Sequence, residues 1–169
     1  MRFTLSSVPV LLALLLSGCA GFHENTPPAP HAAPAAHVAK VPPTTAGQEV
    51  ALRALMLVKE GYRYGGKTLR TGLDCSGMVS YVYKAATGRT LAAGTAGLAR
   101  MGRPVARNEL REGDLVFFNT RHHAHSHVGI YVGNGEFVNA LNEKVGVRVD
   151  HLGAPYFASR FDGARRLLT

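Results

Sequence analysis

The sequence predicts an α+β fold in which N-terminal helices pack on a small antiparallel β-sheet. Apolar residues recur at helical spacing in two segments that end before Gly88. After Asp114 the pattern changes to short β-branched or aromatic runs separated by turn residues, which is typical of strands joined by hairpins. Helices followed by a run of such strands indicate the α+β class.

The composition limits the folded region to one domain that is shorter than the chain. The 169 residues are 46% hydrophobic and 18% charged, which is the profile of a globular protein. Six of the nine prolines lie between positions 27 and 43, and a hydrophobic core cannot be built through such a stretch. The folded domain is therefore predicted over residues 47–169.

Residues 1–18 have the three parts of a lipoprotein signal peptide. Arg2 supplies a basic flank, residues 8–16 are apolar but too few to cross a membrane, and small residues precede Cys19. The Leu-Ser-Gly-Cys ending resembles the lipobox of bacterial lipoproteins, in which the cysteine becomes the lipidated first residue; an ordinary cleaved signal is the alternative. By the same resemblance, Ala20 after the cysteine favours the outer membrane, on its periplasmic face.

Residues 19–46 are predicted to be a flexible tether between the lipid anchor and the folded domain. Ala, Pro, Thr and His dominate this segment, so it has too little apolar surface to offset the entropy lost on ordering. Residues 47–169 hold 17 Lys and Arg against 10 Asp and Glu, a net charge of +7. A basic secreted domain suits anionic envelope polymers, and no nucleic-acid partner is expected because no nucleic-acid-binding motif accompanies the charge.

Caps and periodicity predict the helices. Thr45 and Gln48 form a capping-box pattern at the start of a helix over 48–60. Asp74 is suited to the N-cap of a second helix, which Gly88 closes. The remaining predicted elements are a short helix near 96–101 and strands at 115–118, 128–132, 136–140, 145–149 and 164–168.

Cys75 is the first chemical candidate and the only cysteine of the folded region. It lies in the first turn of the second predicted helix, where unpaired backbone N–H groups and the helix dipole favour a thiolate. The short polar neighbours Asp74 and Ser76 keep the sulfur near a surface. The alternatives are a buried small hydrophobic residue or a disulfide with Cys19.

Four histidines within six residues form the second candidate. His122, His123, His125 and His127 have the density of a metal site, but Asp114 is the one nearby carboxylate, and no metal is expected. His127 differs from the others because it opens an apolar predicted strand. A base held on a rigid strand is what a thiol nucleophile requires.

Strand register decides whether Asn139 can orient His127. A two-residue turn at 134–135 would place the two side chains on opposite faces of the hairpin. A three-residue loop at 133–135 would place Gly129 opposite Asn139 and put both side chains on one face. Asn139 would then accept the imidazole N–H, as the asparagine of a Cys-His-Asn triad does. A polar residue that merely closes a strand is the alternative.

Four motifs in order closely resemble those of the NlpC-type cell-wall cysteine peptidases. The motifs are the segments 62–66, 73–77, 113–118 and 127–131, and the resemblance continues through 133–135 to 160–166, so that it covers nearly all of the folded region. It implies a papain-like fold and cleavage of peptide bonds in peptidoglycan stems, commonly next to meso-diaminopimelate.

The resemblance also implies roles for individual residues. Cys75 matches the nucleophile and His127 the base, while Tyr62 matches a tyrosine whose hydroxyl lies near the nucleophile. The third position, often a second histidine in the family, is Asn139 here. Segment 91–95 departs from the family pattern, which we expect to affect substrate contacts. The expected site comprises catalytic Cys75, His127 and Asn139, with Tyr62, Asp74 and Ser76 as oxyanion or substrate residues.

The expected function is that of a peptidoglycan endopeptidase with a Cys-His thiol mechanism and no cofactor. Its expected partners are the peptidoglycan stem peptides and, through the lipid anchor, a bacterial membrane; a monomer is expected. Two alternatives remain open. One is a wall-binding scaffold lipoprotein with a degenerate site. The other is a related thiol amidase or acyltransferase, since the same Cys-His chemistry serves such enzymes as well as peptidases.

Overall fold

The computed structural model describes residues 45–168. The predicted signal peptide, the lipidation site Cys19 and the tether up to residue 44 lie outside the described residues. The helices are α1 (Ala46–Met56), α2 (Cys75–Thr87), α3 (Gly94–Leu98) and α4 (Pro155–Ala158), with a 3₁₀ turn at Arg107–Glu109. The strands are β1 (Lys67–Thr68), β2 (Gly72–Leu73), β3 (Arg103–Pro104), β4 (Leu115–Phe118), β5 (His127–Gly133), β6 (Glu136–Asn142), β7 (Gly146–His151) and β8 (Phe161–Arg166).

Six of these strands form one antiparallel sheet in the order β3-β8-β4-β5-β6-β7, and β1 and β2 form a small separate hairpin. Side chains alternate between the two faces, so each face has its own core. On one face Phe117, Ile130 and Val138 pack with apolar residues of α1 and α2. On the other, Phe118 and Phe137 pack with Phe157 of α4. The predicted α+β class is therefore confirmed.

The predicted start of α1 is nearly correct and its predicted end is wrong. The Thr45 hydroxyl accepts a hydrogen bond from the Gln48 backbone N–H at 3.2 Å, and the Gln48 side chain accepts one from the Thr45 N–H at 2.9 Å. The helix ends at Met56 rather than near residue 60. The Lys59 N–H instead donates to the Val147 carbonyl at 2.9 Å, so the chain leaves the helix to join the edge of β7.

The predicted second helix agrees with α2. Asp74 is its N-cap, and Gly88 ends it in the left-handed conformation with φ of 72°. The predicted strands are all present, β4 with the predicted ends and the others with ends that differ by at most three residues, and α3 begins two residues earlier than predicted. The hairpin β1–β2, strand β3 and helix α4 were not predicted, because elements of two to four residues carry too little periodicity to detect.

A buried ion pair joins the start of β4 to the end of β8. The Arg166 guanidinium donates to both carboxylate oxygens of Asp114, with Nε–Oδ1 and Nη2–Oδ2 distances of 2.8 and 2.6 Å. The Arg111 backbone N–H donates to the same carboxylate at 2.8 Å. The Asp114 side chain is 3% exposed and that of Arg166 10%, so this pair is shielded from water.

In the part of the chain that the structure covers, residues 45–168, none of the helices combines the length and the apolar character needed to cross a bilayer.

Candidate active site

The candidate site is built around the first residue of α2. Cys75 follows the N-cap Asp74, whose Oδ1 accepts from the Gly77 N–H at 2.7 Å. The loop before the helix lies close against this turn, because a Cβ on Gly77 would lie 2.0 Å from the Gly66 carbonyl oxygen. The glycine two residues after the cysteine is therefore required for the loop to lie against the start of α2.

The side chains of Asp74 and Ser76 form hydrogen bonds with each other, and Asp74 also accepts from nearby backbone N–H groups. Besides the bond to Gly77, Asp74 accepts from the Ser76 hydroxyl at 2.9 Å and from the Gly65 N–H at 3.0 Å. These bonds tie the preceding loop to the helix start and fix the position of Cys75. Contact of either side chain with a substrate or an oxyanion stays a prediction.

His127 is the first residue of β5 and is 5% exposed. Its Nε2 lies 2.9 Å from Oδ1 of Asn139, which is fully buried on β6. The backbone N–H of Val128, the residue after His127, favours the thiolate form of Cys75, so the start of α2 lies beside β5. The fold thus places Cys75 next to the strand that carries His127, and His127 against Asn139 of β6.

In the β5–β6 hairpin, a turn and a bulge together produce the register that places His127 and Asn139 on one face. Ile130 pairs with Val138, which is the register of the three-residue alternative and which places His127 and Asn139 on one face. The turn itself has the two residues of the other alternative, both with positive φ as a type I′ turn requires. A bulge at Val132 absorbs the extra residue and restores the register.

The pKa of Cys75 is shifted in the direction opposite to the sequence prediction. Burial is the largest influence and raises the pKa of the thiol, and the charge of Asp74 raises it further. The backbone N–H groups of Val128 and Ser76 and the charge of Arg121 lower the pKa, but they do not outweigh burial. The helix start was expected to favour a thiolate; the enclosed position instead favours the neutral thiol.

His127 is shifted toward its neutral form as well. Burial lowers its pKa, and the charge of Arg121 acts in the same direction. The hydrogen bond to Asn139 and the charge of Asp150 oppose this shift without reversing it. Both shifts therefore favour the neutral forms, a thiol for Cys75 and an imidazole for His127.

Three residues near the site were not predicted from the sequence. Arg121 follows β4, contributes to the electrostatics of Cys75 and Tyr62, and stacks its guanidinium 5.4 Å from the ring centre of Tyr64. Arg148 and Asp150 on β7 extend the hydrogen bonds of Asn139. Arg121 carries no sequence signal because it lies in a loop, and Asp150 was missed because the predicted strand ended at residue 149.

Tyr62 is close enough to Cys75 for the two side chains to interact electrostatically, and its role near the nucleophile stays a prediction. It is half-buried, and its pKa is raised first by burial and then by the charge of Cys75. The charge of Arg121 opposes this shift. A protonated tyrosine hydroxyl near the sulfur is able to donate a hydrogen bond to a developing negative charge.

The other histidines of the cluster do not converge on the site. His122 and His123 are exposed, while the backbone N–H of His125 donates to Asp162 at 2.6 Å and its ring packs edge-on against Phe117. Among residues 45–168, no three His, Cys, Asp or Glu side chains are grouped so as to hold a metal ion. Of the four, only His127 contributes to the site.

We expect the alkylation rate of Cys75 to increase with pH along a curve whose midpoint lies above the ordinary cysteine pKa of about 8.5. The reason is that burial raises the pKa of this thiol, and only the thiolate reacts. The measurement is iodoacetamide labelling across pH 5 to 10, followed by mass analysis of the Cys75 peptide, with free glutathione labelled in parallel. A rate that is already constant from pH 5 to 8 would show a preformed thiolate and contradict this expectation.

Two relatives from Escherichia coli K12 match most of the folded region. Murein DD-endopeptidase MepH is 39% identical over 138 residues, which cover 79% of this chain and 50% of that protein. Murein DD-endopeptidase MepS/Murein LD-carboxypeptidase is 41% identical over 108 residues, which cover 64% of this chain and 56% of that protein. The chain thus spans about half the length of these relatives.

Solved structures agree with the sequence matches. The crystal structure of an NlpC/P60 family protein from Bacillus cereus ATCC 10987 aligns with a TM-score of 0.67 at 29% identity, over 75% of this chain and 42% of that one. This likeness confirms the predicted papain-like arrangement. The NlpC/P60 family model matches residues 59–166, which is more than half of the chain. By sequence and by fold, this chain belongs to the NlpC/P60 family.

Proposed function

We propose that this chain is a peptidoglycan endopeptidase that hydrolyses stem-peptide or cross-link amide bonds through a Cys-His thiol mechanism. The observation that carries the proposal is the arrangement of Cys75 at the start of α2, beside β5, with His127 hydrogen-bonded to Asn139 at 2.9 Å. Two relatives that cover most of the folded region are named murein DD-endopeptidases, which supports peptidoglycan as the substrate. We propose a bond next to meso-diaminopimelate as the one cleaved.

The proposed mechanism starts from a neutral Cys75 thiol and a neutral His127 imidazole, the forms that burial favours. His127 takes the Cys75 proton as the sulfur attacks the scissile carbonyl carbon, so an imidazolium and a tetrahedral oxyanion form together. The Cys75 backbone N–H and the Tyr62 hydroxyl are our candidates for stabilising the oxyanion. His127 then gives its proton to the leaving amine, and a thioester to Cys75 remains. Water activated by His127 hydrolyses this thioester and restores the free thiol.

Asn139 has the supporting role in this mechanism. It accepts a hydrogen bond from His127 Nε2, which leaves Nδ1 as the ring nitrogen that exchanges the proton with sulfur. The bond also favours the imidazolium form that exists transiently during the reaction. A histidine often fills this position in the family, and an amide oxygen serves the same purpose.

The proposal includes delivery of the enzyme to the wall. A lipid on Cys19 would anchor the chain to a bacterial membrane, preferably the outer membrane, with the domain facing the periplasm. The part of the segment 19–46 that precedes the Thr45 cap of α1 would act as the tether that lets the domain reach peptidoglycan, and a monomer suffices for this arrangement. The net charge of +7 on residues 47–169 supports contact with an anionic polymer.

The proposal is tested by digestion of purified sacculi with the wild-type protein and mass analysis of the released fragments. We expect fragments cut within stem peptides or cross-links, and the masses identify the bond. Protein whose Cys75 has been alkylated is the control and is expected to release none. Protein that binds sacculi but releases no fragments would contradict the proposal and support the scaffold alternative. A trapped acyl-enzyme with an acyl group from another source would indicate the amidase or acyltransferase.

A further inference from the structure

The hydrogen bonds of the candidate site continue past Asn139 to the neighbouring strand. The Asn139 Nδ2 group donates to Oδ2 of Asp150 on β7 at 2.9 Å. Arg148, two residues earlier on the same strand, donates to that Oδ2 from Nε at 2.7 Å and pairs its Nη2 with Oδ1. The Asp150 side chain is 8% exposed, so this carboxylate is largely removed from water. His127, Asn139, Asp150 and Arg148 therefore form one chain of contacts across three strands.

The chemistry of Asp150 determines which way the Asn139 amide faces. An ionised carboxylate only accepts hydrogen bonds, so the NH₂ group of the amide must face Asp150. The backbone carbonyl of Arg148 lies 3.5 Å from the same Nδ2, which is a longer and weaker contact. The amide oxygen is consequently left to face His127.

The orientation of the amide in turn determines the tautomer of His127. Because an amide oxygen accepts, the imidazole Nε2 must carry the proton, and Nδ1 is left with its lone pair. A reversed amide would place its NH₂ against Nε2 and favour the tautomer with the proton on Nδ1. That tautomer has no free Nδ1 lone pair with which to accept the thiol proton.

We propose that Asp150, held in place by Arg148, is a positioning residue that fixes the Asn139 amide and thereby selects the His127 tautomer with Nδ1 free. The inference rests on the proposed roles of Cys75 and His127. Arg148 has a second effect, because its charge compensates a carboxylate that would otherwise be costly to bury.

The charged and titratable groups that influence His127 come from several elements. Asp150 acts from β7 and Arg121 acts from the loop after β4. The Cys75 thiol lies beside β5 at the start of α2 but is not among the groups that shift the His127 pKa. Arg121 lowers the pKa of His127 and Asp150 raises it. Loss of the Asp150 charge should therefore lower the His127 pKa further, and a carboxylate placed directly on His127 should raise it.

The first measurement is the tautomer of His127, read from the ¹⁵N chemical shifts of the neutral imidazole in the full-length protein and assigned by the signal lost in His127→Gln. The wild type is expected to carry the proton on Nε2. Asp150→Ala is expected to populate the Nδ1–H tautomer and to lower kcat about 10-fold to 100-fold, with a smaller change in KM. Wild-type protein in the Nδ1–H form, or an Asp150→Ala variant with unchanged tautomer and kcat, would overturn the inference.

Exchanging the Asn139 and Asp150 side chains tests the positioning role of Asp150 separately from any effect on folding. Asn139→Asp alone places a second carboxylate against Asp150, and the repulsion is expected to lower kcat. In the double variant Asn139→Asp/Asp150→Asn, the new carboxylate accepts from His127 Nε2 and the new amide donates back to it. We expect kcat of the double variant to be about 10-fold higher than kcat of the single variant Asn139→Asp. We also expect the acid limb of the kcat/KM pH profile of the double variant to lie at higher pH than that of the wild type. A double variant no better than the single variant would contradict the inference.

Glu136→Gln is the matched control, since it removes an exposed carboxylate from β6, away from these contacts. It is expected to leave the tautomer, kcat and the pH profile unchanged. The tautomer measurement does not depend on peptidoglycan cleavage. If the wild type cleaves no peptidoglycan, the proposed function fails while the NMR result still decides whether Asp150 selects the tautomer.

Discussion

Replacement of Cys75 by alanine is expected to lower the rate of peptidoglycan cleavage about 10⁴-fold or more, to the background level. The proposed reaction passes through a thioester on this sulfur, and no other cysteine is present in residues 47–169. Cys75→Ser is also expected to lose most activity, because a buried hydroxyl next to a neutral imidazole is much harder to deprotonate than a thiol. The measurement is the rate of fragment release from purified sacculi.

The loss should come from chemistry and not from unfolding. The alanine variant keeps the Asp74 cap and the Gly77 contact that position the start of α2, so its thermal unfolding midpoint should stay close to that of the wild type. Ser80→Ala, another small half-buried side chain on α2, is the control and is expected to retain activity. Full cleavage by a folded Cys75→Ala protein would disprove the thiol mechanism.

Replacement of Asp114 by alanine is expected to lower the free energy of unfolding by about 3 to 5 kcal/mol. The change leaves the Arg166 guanidinium, 10% exposed, without its carboxylate, and it removes the acceptor of the Arg111 N–H. An unpaired buried charge costs far more than the pair contributes when both partners are present. Urea denaturation is the measurement, and the midpoint of thermal unfolding should fall by roughly 10 °C or more.

Two controls distinguish the cost of leaving a buried charge unpaired from the cost of losing an ion pair as such. Glu49→Ala removes a partner from the exposed Arg53–Glu49 pair of α1 and is expected to cost no more than about 0.5 kcal/mol. Replacing both members of the buried pair, with Asp114→Leu and Arg166→Met, is expected to recover about half of the loss, because no charge is then left buried. A cost for Asp114→Ala that matches the exposed pair would contradict this account.

The fold was predictable where local chemistry decides the structure. The capping box at Thr45, the Asp74 cap and the left-handed Gly88 depend on residues within one or two helical turns, and each was identified correctly. The end of α1 was not, because the Lys59 N–H bonds to Val147, about ninety residues away. Contacts between residues so far apart in the sequence do not change the local spacing of apolar residues.

The geometry of the candidate site was predictable in part. Cys75 and His127 could be named because each begins a strongly patterned element, and Asn139 because side chains alternate along strands. The bulge that sets the hairpin register could not be read from the turn residues alone. Asp150 could not be placed either, since its contact with Asn139 depends on the pairing of β6 with β7.

The sequence by itself determined the class of the fold, the order of the longer helices and strands, and the identity of the nucleophile and base candidates, because these follow from short-range patterns and residue chemistry. The tertiary structure decided the surroundings of these side chains, and with them the direction in which each pKa is shifted. Burial raises the pKa of Cys75 and lowers that of His127, against the expectation from the helix start. Burial and the partners of an amide are properties of the assembled sheet, so only the packed strands β5, β6 and β7 could decide them.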